Sequence, residues 1–141
     1  RTRLQVIVLD TSAVIELLLN LALGVAVRQR LADPDVQLHA PQLLPVEVVQ
    51  VLRRRVAAGI TTTDDASYAL DALVDLDISL HDHVLLINRA WELRENITAY
   101  DAMYVALAEL LDAPLLTADA TLARSPGSHA VVELLHEKLV D

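Results

Sequence analysis

The sequence predicts an α/β fold with a central, mainly parallel sheet flanked by helices. Short apolar runs with the length of buried strands alternate with longer segments of helical periodicity. Strands that alternate with helices favour a parallel sheet, because each helix returns the chain to the edge where the next strand begins. The chain has 141 residues, the size of one typical domain, so we expect a single domain over 1–141.

The first half of the chain predicts two strands and three helices. Leu4–Leu9 is an apolar run that Asp10 ends, as expected for a buried strand. Thr11 or Ser12 can cap a helix over Ala13–Leu19. The other predicted elements here are a helix over 21–31, a strand over 36–39, and a helix from Pro45 to Ala58 that Gly59 ends.

The second half repeats the same alternation. Thr61–Asp65 is a helix-start signal for a helix that ends near Leu76. Asp82 and Thr98 are the expected caps of the next two helices. Those helices cover 83–94 and 99–111, and the predicted strands cover 78–80 and 115–117. The last apolar segment, 130–134, fits a strand or a helix equally well by periodicity.

The composition excludes several kinds of site. With 54% hydrophobic but only 3% aromatic residues, the core must be aliphatic. The absence of cysteine excludes disulfides, thiolate metal sites and cysteine catalysis. No apolar run reaches the roughly 18 residues that suggest a membrane span, and no signal-peptide pattern stands at the start, so we expect a cytoplasmic protein without a membrane partner. A net charge of −9 argues against a protein that coats nucleic acid by charge alone.

Four acidic residues fall where this fold would bring them together. Asp10 and Asp119 follow predicted strands, and Glu47 and Asp101 lie in the first turns of predicted helices. These positions meet at the carboxyl edge of a parallel sheet. Clustered carboxylates suit Mg²⁺ or Mn²⁺, because two of them about 4 Å apart repel by about 4 kcal/mol without a cation. Taken singly, each acid also fits a turn, a helix dipole or a cap.

The segments around these acids resemble the motifs of the PIN-domain ribonucleases. Four stretches match in order and spacing across almost the whole chain: Val8–Ala13, Pro45–Val48, Thr98–Ala108 and Leu115–Asp119. Short proteins of this family with one domain include the VapC-type toxins of bacterial VapBC toxin–antitoxin pairs. The sequence is similar to these toxins in length and in motif order.

This resemblance implies a PIN-like three-layer α/β/α fold and an Mg²⁺- or Mn²⁺-dependent endoribonuclease. Such a toxin hydrolyses RNA with a metal-activated water and inhibits translation and growth until its VapB-type antitoxin binds, and it is usually a homodimer. The resemblance implies metal-binding and catalytic roles for Asp10, Glu47, Asp101 and Asp119. The hydroxyls of Ser12 and Thr117 are plausible groups for orienting a carboxylate or a metal-bound water, although capping and turn formation explain them equally well.

Several alternatives remain at this point. A phosphoacceptor receiver domain also uses clustered aspartates, but it needs a lysine late in the sheet, and the only lysine here is Lys138. A catalytically silent PIN fold could serve as an RNA- or protein-binding module, although the intact acids argue against it. His81 and His83 lack a third ligand nearby, and His39 looks isolated. The cluster Arg53–Arg55 either contacts phosphates or forms a solvated helix face.

Overall fold

The computed structural model describes residues 4–137, so Lys138 and both ends of the predicted domain lie outside the described residues. The strands, in chain order, are β1 Gln5–Leu9, β2 Val36–Pro41, β3 Ile78–His81, β4 Leu115–Thr117 and β5 Val132–Leu134. They form one sheet in the order β3-β2-β1-β4-β5, and each of its pairings is parallel. The predicted α/β class and the parallel sheet are therefore confirmed.

Helices cover the sheet and complete the three-layer α/β/α arrangement. They are α1 Thr11–Leu18, α2 Gly24–Arg30, α3 Leu43–Ala57, α4 Thr63–Asp75, α5 Ile87–Glu92, α6 Ala99–Leu111 and α7 Ala120–Ala123. A 3₁₀ turn, His83–Leu86, precedes α5. Helix α6 packs against β1, β2 and β4. Within residues 4–137, no helix has the length and apolar character needed to cross a membrane.

The core is aliphatic, as the composition predicts. Ile7, Val8 and Leu9 of the central strand β1 have no solvent exposure, because neighbouring strands and helices cover both faces of the sheet. The middle of helix α6 is buried, at Ala102 and over 104–108, which explains why this part of the helix is mainly apolar. The strand order reverses between β1 and β4, and in open α/β sheets ligands bind at such a switch point.

Two predicted helix starts are wrong. Helix α1 begins at Thr11, and Asp10 rather than Thr11 or Ser12 caps it by accepting a hydrogen bond from the Ala13 backbone N–H at 3.0 Å. Helix α2 begins at Gly24 and not near residue 21. The chain approaches α1 closely there, since a Cβ on Gly24 would lie 2.6 Å from the Glu16 carbonyl oxygen.

Other boundaries shift by smaller amounts. Helix α3 begins two residues before Pro45 and ends within one residue of the prediction, at Ala57. The helix predicted over 83–94 is divided into the 3₁₀ turn and α5. The ambiguous apolar segment is a strand, Val132–Leu134, which pairs with β4 at the edge of the sheet.

Candidate active site

The four predicted acids line one pocket of about 420 Å³ at the carboxyl edge of the sheet. Asp10 directly follows the central strand β1, and Asp119 lies two residues after β4. Glu47 projects from α3, and Asp101 lies in the first turn of α6. The pocket therefore lies at the switch point between β1 and β4, where the motif positions were expected to meet.

Asp10 is the most deeply buried of these acids, with 5% of its surface exposed. Ser12 donates a hydrogen bond to its Oδ1 at 2.7 Å, and Thr117 donates one to its Oδ2. The Ala13 backbone N–H also binds Oδ1. Burial raises the pKa of Asp10, while these three donors oppose that rise by stabilising the ionised form. The carboxylate is thus fixed in one orientation.

Ser12 and Thr117, the two predicted supporting hydroxyls, also bridge neighbouring segments. Their hydroxyl oxygens lie 3.2 Å apart. The Ser12 oxygen accepts the Ala118 backbone N–H at 2.9 Å, and the Thr117 oxygen accepts that of Asp119 at the same distance. These bonds join the end of β1 to the connection after β4, so they hold two sides of the pocket together.

Glu47 is held by the hydroxyls of Thr11 and Tyr104, which lie in the motif segments but were given no role at the site from the sequence. Thr11 donates to its Oε1 at 2.9 Å, and the Tyr104 phenol donates to the same oxygen at 2.6 Å. Tyr104 is 1% exposed, and burial raises the pKa of its phenol, so the proton stays on the tyrosine. A spacing of three residues places Tyr104 near Asp101 on α6, a signal that could have suggested a shared site.

Asp101 carries the clearest electrostatic effect of the pocket. Its pKa is raised to about 6, first by burial and then by the charges of Asp10, Asp119 and Glu47. The other three carboxylates are therefore close enough to repel the carboxylate of Asp101. Thr98 caps α6 as predicted, accepting the Asp101 backbone N–H at 3.2 Å.

Asp119 lies at the exposed side of the pocket and also has a structural task. Its Oδ1 accepts the backbone N–H groups of Thr121 at 2.8 Å and Leu122 at 3.4 Å, which caps the short helix α7. Both interpretations of this residue, as a pocket carboxylate and as a helix cap, agree with its position.

The donor set fits a hydrated hard cation better than a closed protein cage. Carboxylate oxygens are the ligands that Mg²⁺ and Mn²⁺ prefer, and a cation would relieve the crowded charge that raises the pKa of Asp101. Across residues 4–137, no group of three or more acidic or histidine side chains lies close enough together to hold one metal ion. Mg²⁺ commonly keeps several waters and uses one or two carboxylates, so this arrangement is compatible with it.

A second ionisable cluster lies apart from this pocket. His39 of β2 and His81 of β3 approach at 2.8 Å between Nδ1 and Nε2, so His39 is not isolated as its position in the sequence suggested. Burial and the neighbouring His81 lower the pKa of His39. The Nε2 of His83 accepts the Leu43 backbone N–H at 3.0 Å. Within the described residues these histidines join no metal-binding group.

The PIN-domain family model matches residues 7–127, a span that includes all four acids and both supporting hydroxyls. The chain belongs to the PIN-domain family. Ribonuclease VapC1 of Mycobacterium tuberculosis is 40% identical over 129 residues, which cover 91% of this chain and 96% of that protein. Ribonuclease VapC12 of the same organism is 37% identical over 129 residues, covering 92% and 98%. These relatives place the chain in the VapC group of the family.

A solved structure shares the fold at low sequence identity. It is VapBC2 from Rickettsia felis bound to a DNA fragment from the promoter of that pair. The TM-score is 0.69 with 14% identity, and the match covers 94% of this chain and 100% of that one. This agreement supports the three-layer arrangement of the fold.

Proposed function

We propose that this chain is a metal-dependent endoribonuclease that acts as the toxin of a VapBC pair. The observation that carries the proposal is the pocket in which Asp10, Glu47, Asp101 and Asp119 come together. Relatives named as ribonucleases match over nearly the whole chain, and this similarity supports the proposed activity. The proposed reaction is hydrolysis of RNA phosphodiester bonds with Mg²⁺ or Mn²⁺.

Asp10 and Asp101 would be the principal ligands of the cation, with Glu47 and Asp119 completing the site directly or through water. The bound ion would lower the pKa of water and offset the charge that develops on the phosphate. The acidic donor set supports this role, since carboxylates with these repulsions need a counter-charge.

The protein's own contribution is to hold these carboxylates in fixed orientations. Ser12 and Thr117 bind both oxygens of Asp10, so its carboxylate cannot rotate without breaking hydrogen bonds. Thr11 and Tyr104 both bind Oε1 of Glu47, which leaves Oε2 for other ligands. Groups that orient ligands in this way commonly change metal affinity or activity by about 10- to 100-fold when removed.

The biological part of the proposal concerns growth control. Cleavage of RNA would inhibit translation, and a VapB-type antitoxin would neutralise the toxin, as the toxin–antitoxin assembly of the R. felis structure suggests.

A homodimer is also proposed. Its support is the number of large apolar side chains on the surface, among them Val84 and Leu85, which are 69% and 75% exposed.

The deciding experiment is cleavage of a mixed RNA pool by the purified protein. We expect cutting in Mg²⁺ or Mn²⁺ but not in EDTA, and loss of cutting in both Asp10→Asn and Asp101→Asn. Asp71→Asn is the matched control, because Asp71 is an exposed acid of α4 outside the pocket. Cutting that survives both pocket substitutions would overturn the proposal. RNA binding by the wild type without any cutting would instead favour the catalytically silent module.

A further inference from the structure

Two arginines flank the carboxylate pocket. Arg55 lines the same pocket as the four acids. A second pocket of about 450 Å³ is lined by Arg94 and by polar side chains that include Asn96 and Ser125. Asp101 lines both pockets, so the two adjoin at this carboxylate. Arg55 and Arg94 therefore line two pockets that meet at one of the acids.

Arg55 reaches the pocket because of its spacing on α3. Glu47, Val51 and Arg55 follow one another at intervals of four residues, share one helix face, and all line the pocket. Eight residues of helix place Arg55 about 12 Å along the axis from Glu47. The Arg55 Nε donates to the Thr61 hydroxyl at 2.9 Å, which anchors the guanidinium at the end of the pocket away from Glu47.

Arg94 is held in a comparable way on the other side. Its guanidinium lies over the Trp91 ring, 4.5 Å from the ring centroid, and one terminal nitrogen donates to the Trp91 carbonyl oxygen at 3.0 Å. A guanidinium stacked in this way keeps a fixed plane, and the other edge of the plane can bind phosphate oxygens. The Arg94 guanidinium is therefore held in an orientation in which it can bind an anion.

Among the residues that the structure describes, neither arginine forms a close ion pair, although Glu95 lines the second pocket together with Arg94. Within residues 4–137, the ion pairs closer than 4.0 Å are those of Arg30 and Arg89, so neither Arg55 nor Arg94 pairs with an acidic side chain. In a chain of net charge −9, four carboxylates repel an RNA strand, and cations beside them offset that repulsion. Arginine binds phosphate through two parallel hydrogen bonds.

We propose that Arg55 and Arg94 bind backbone phosphates of single-stranded RNA on opposite sides of the bond that is cut. This inference rests on the proposed nuclease function. One strand lies along both pockets and crosses Asp101, so the two arginines set its path over the carboxylates. Contacts of this kind are independent of base sequence, so they supply affinity and register rather than the choice of RNA.

The test is the salt dependence of RNA binding. Asp101→Asn protein in Mg²⁺ is titrated with a short fluorescent single-stranded RNA of mixed sequence, and anisotropy gives the affinity over a range of salt concentrations. Each phosphate contact to a single strand contributes a slope of about −0.7 in log K against log salt. Adding Arg55→Ala or Arg94→Ala should reduce the slope by about 0.7 and weaken binding roughly fivefold near 0.1 M salt.

Matched variants separate charge from packing. Arg54→Ala and Arg28→Ala remove exposed arginines that line neither pocket, and they should leave the slope unchanged. Arg55→Lys removes the Nε bond to Thr61 but keeps the charge, so it should retain most of the slope. Equal slopes for pocket and control variants, or no RNA binding at all, would overturn the inference. The nuclease function is tested by a different measurement, the cleavage assay. It fails if the wild type does not cut RNA in the presence of metal.

Discussion

Asp10 and Asp119 line the same pocket, but the fold holds the two carboxylates in different ways. Asp10 is 5% exposed, and both of its oxygens accept hydrogen bonds from the side chains of Ser12 and Thr117. Asp119 is exposed, and its Oδ1 is engaged by backbone N–H groups at the start of α7. The first set of bonds fixes a carboxylate, whereas the second fixes a helix.

This difference suggests that Asp10 and Asp119 have different roles in the pocket. The partners of Asp10 are hydroxyls from β1–α1 and from β4, so several parts of the sequence act together on one side chain. The partners of Asp119 follow it directly in the chain, so an uncharged cap could replace that function. Charge should therefore matter more at Asp10 than at Asp119.

The largest expected effect is that of Asp10→Asn. Removal of this charge should lower kcat/KM for RNA cleavage at least about a hundredfold, since several kcal/mol of electrostatic stabilisation depend on the cation site. Asp119→Asn should lower it by about tenfold or less, and asparagine should cap α7 as well as aspartate does. Initial rates and thermal unfolding measure both effects. Equal losses of kcat/KM in the two variants would contradict the expectation that charge matters more at Asp10 than at Asp119.

The next largest effect should follow from Thr117→Val. Thr117 has no exposed surface, and valine has nearly the same shape, so the substitution removes the hydroxyl without changing the packing. The variant removes the donor to Asp10 Oδ2 and the acceptor of the Asp119 backbone N–H. We expect cleavage to fall about 10- to 100-fold and the free energy of unfolding to fall by about 1–3 kcal/mol. Thr117→Ser keeps the hydroxyl and should preserve most of both quantities. An active valine variant would show that the orientation of Asp10 is unimportant.

Three of the helix caps and the positions of the acids could be predicted from the sequence because their signals are local, although the cap of α1 was predicted one or two residues too late. Thr62, Asp82 and Thr98 each cap the helix or turn that follows, by accepting a backbone N–H two or three residues ahead. The convergence of Asp10 and Asp119 follows from parallel strands, whose carboxyl ends share one edge of the sheet. Neither inference requires knowledge of how side chains from distant elements pack.

Contacts between distant elements could not be predicted in this way. The bond from Tyr104 to Glu47 spans 57 residues, and the pair formed by His39 and His81 spans 42. Both depend on the rotation of helices or the register of strands, which hydrophobic periodicity leaves open. The start of α2 at Gly24 likewise depends on its close approach to α1. The pattern therefore predicted the carboxylates but missed two of the groups that hold them.

Tyr104→Phe tests whether Glu47 is held as Asp10 is. The variant removes only the hydroxyl that donates to Glu47, and we expect cleavage to fall by about tenfold. Tyr100→Phe is the matched control, because Tyr100 is exposed on the same helix and should have no effect. In the double variant with Thr11→Val, we expect Tyr104→Phe to reduce cleavage by less than it does alone. The reason is that both hydroxyls bind Oε1 of Glu47 and act on the same group. Strict additivity would contradict a shared role.

The smallest expected effect is on the stability of the metal-free protein, and it concerns the acid between Asp10 and Asp119. The pKa of Asp101 is raised from 3.8 to about 6, so the folded protein holds a proton there that the unfolded chain releases at lower pH. Its contribution to stability is fully present below about pH 4 and is lost as the pH rises through 6. In EDTA, Asp101→Asn should therefore gain in Tm relative to the wild type between pH 4 and 7. High salt should reduce the part of this gain that comes from the neighbouring carboxylates and leave the part due to burial. A constant Tm difference across this range would mean that the pKa of Asp101 is not raised in the folded protein. A pH-dependent gain that high salt leaves unchanged would mean that the neighbouring carboxylates do not contribute to it.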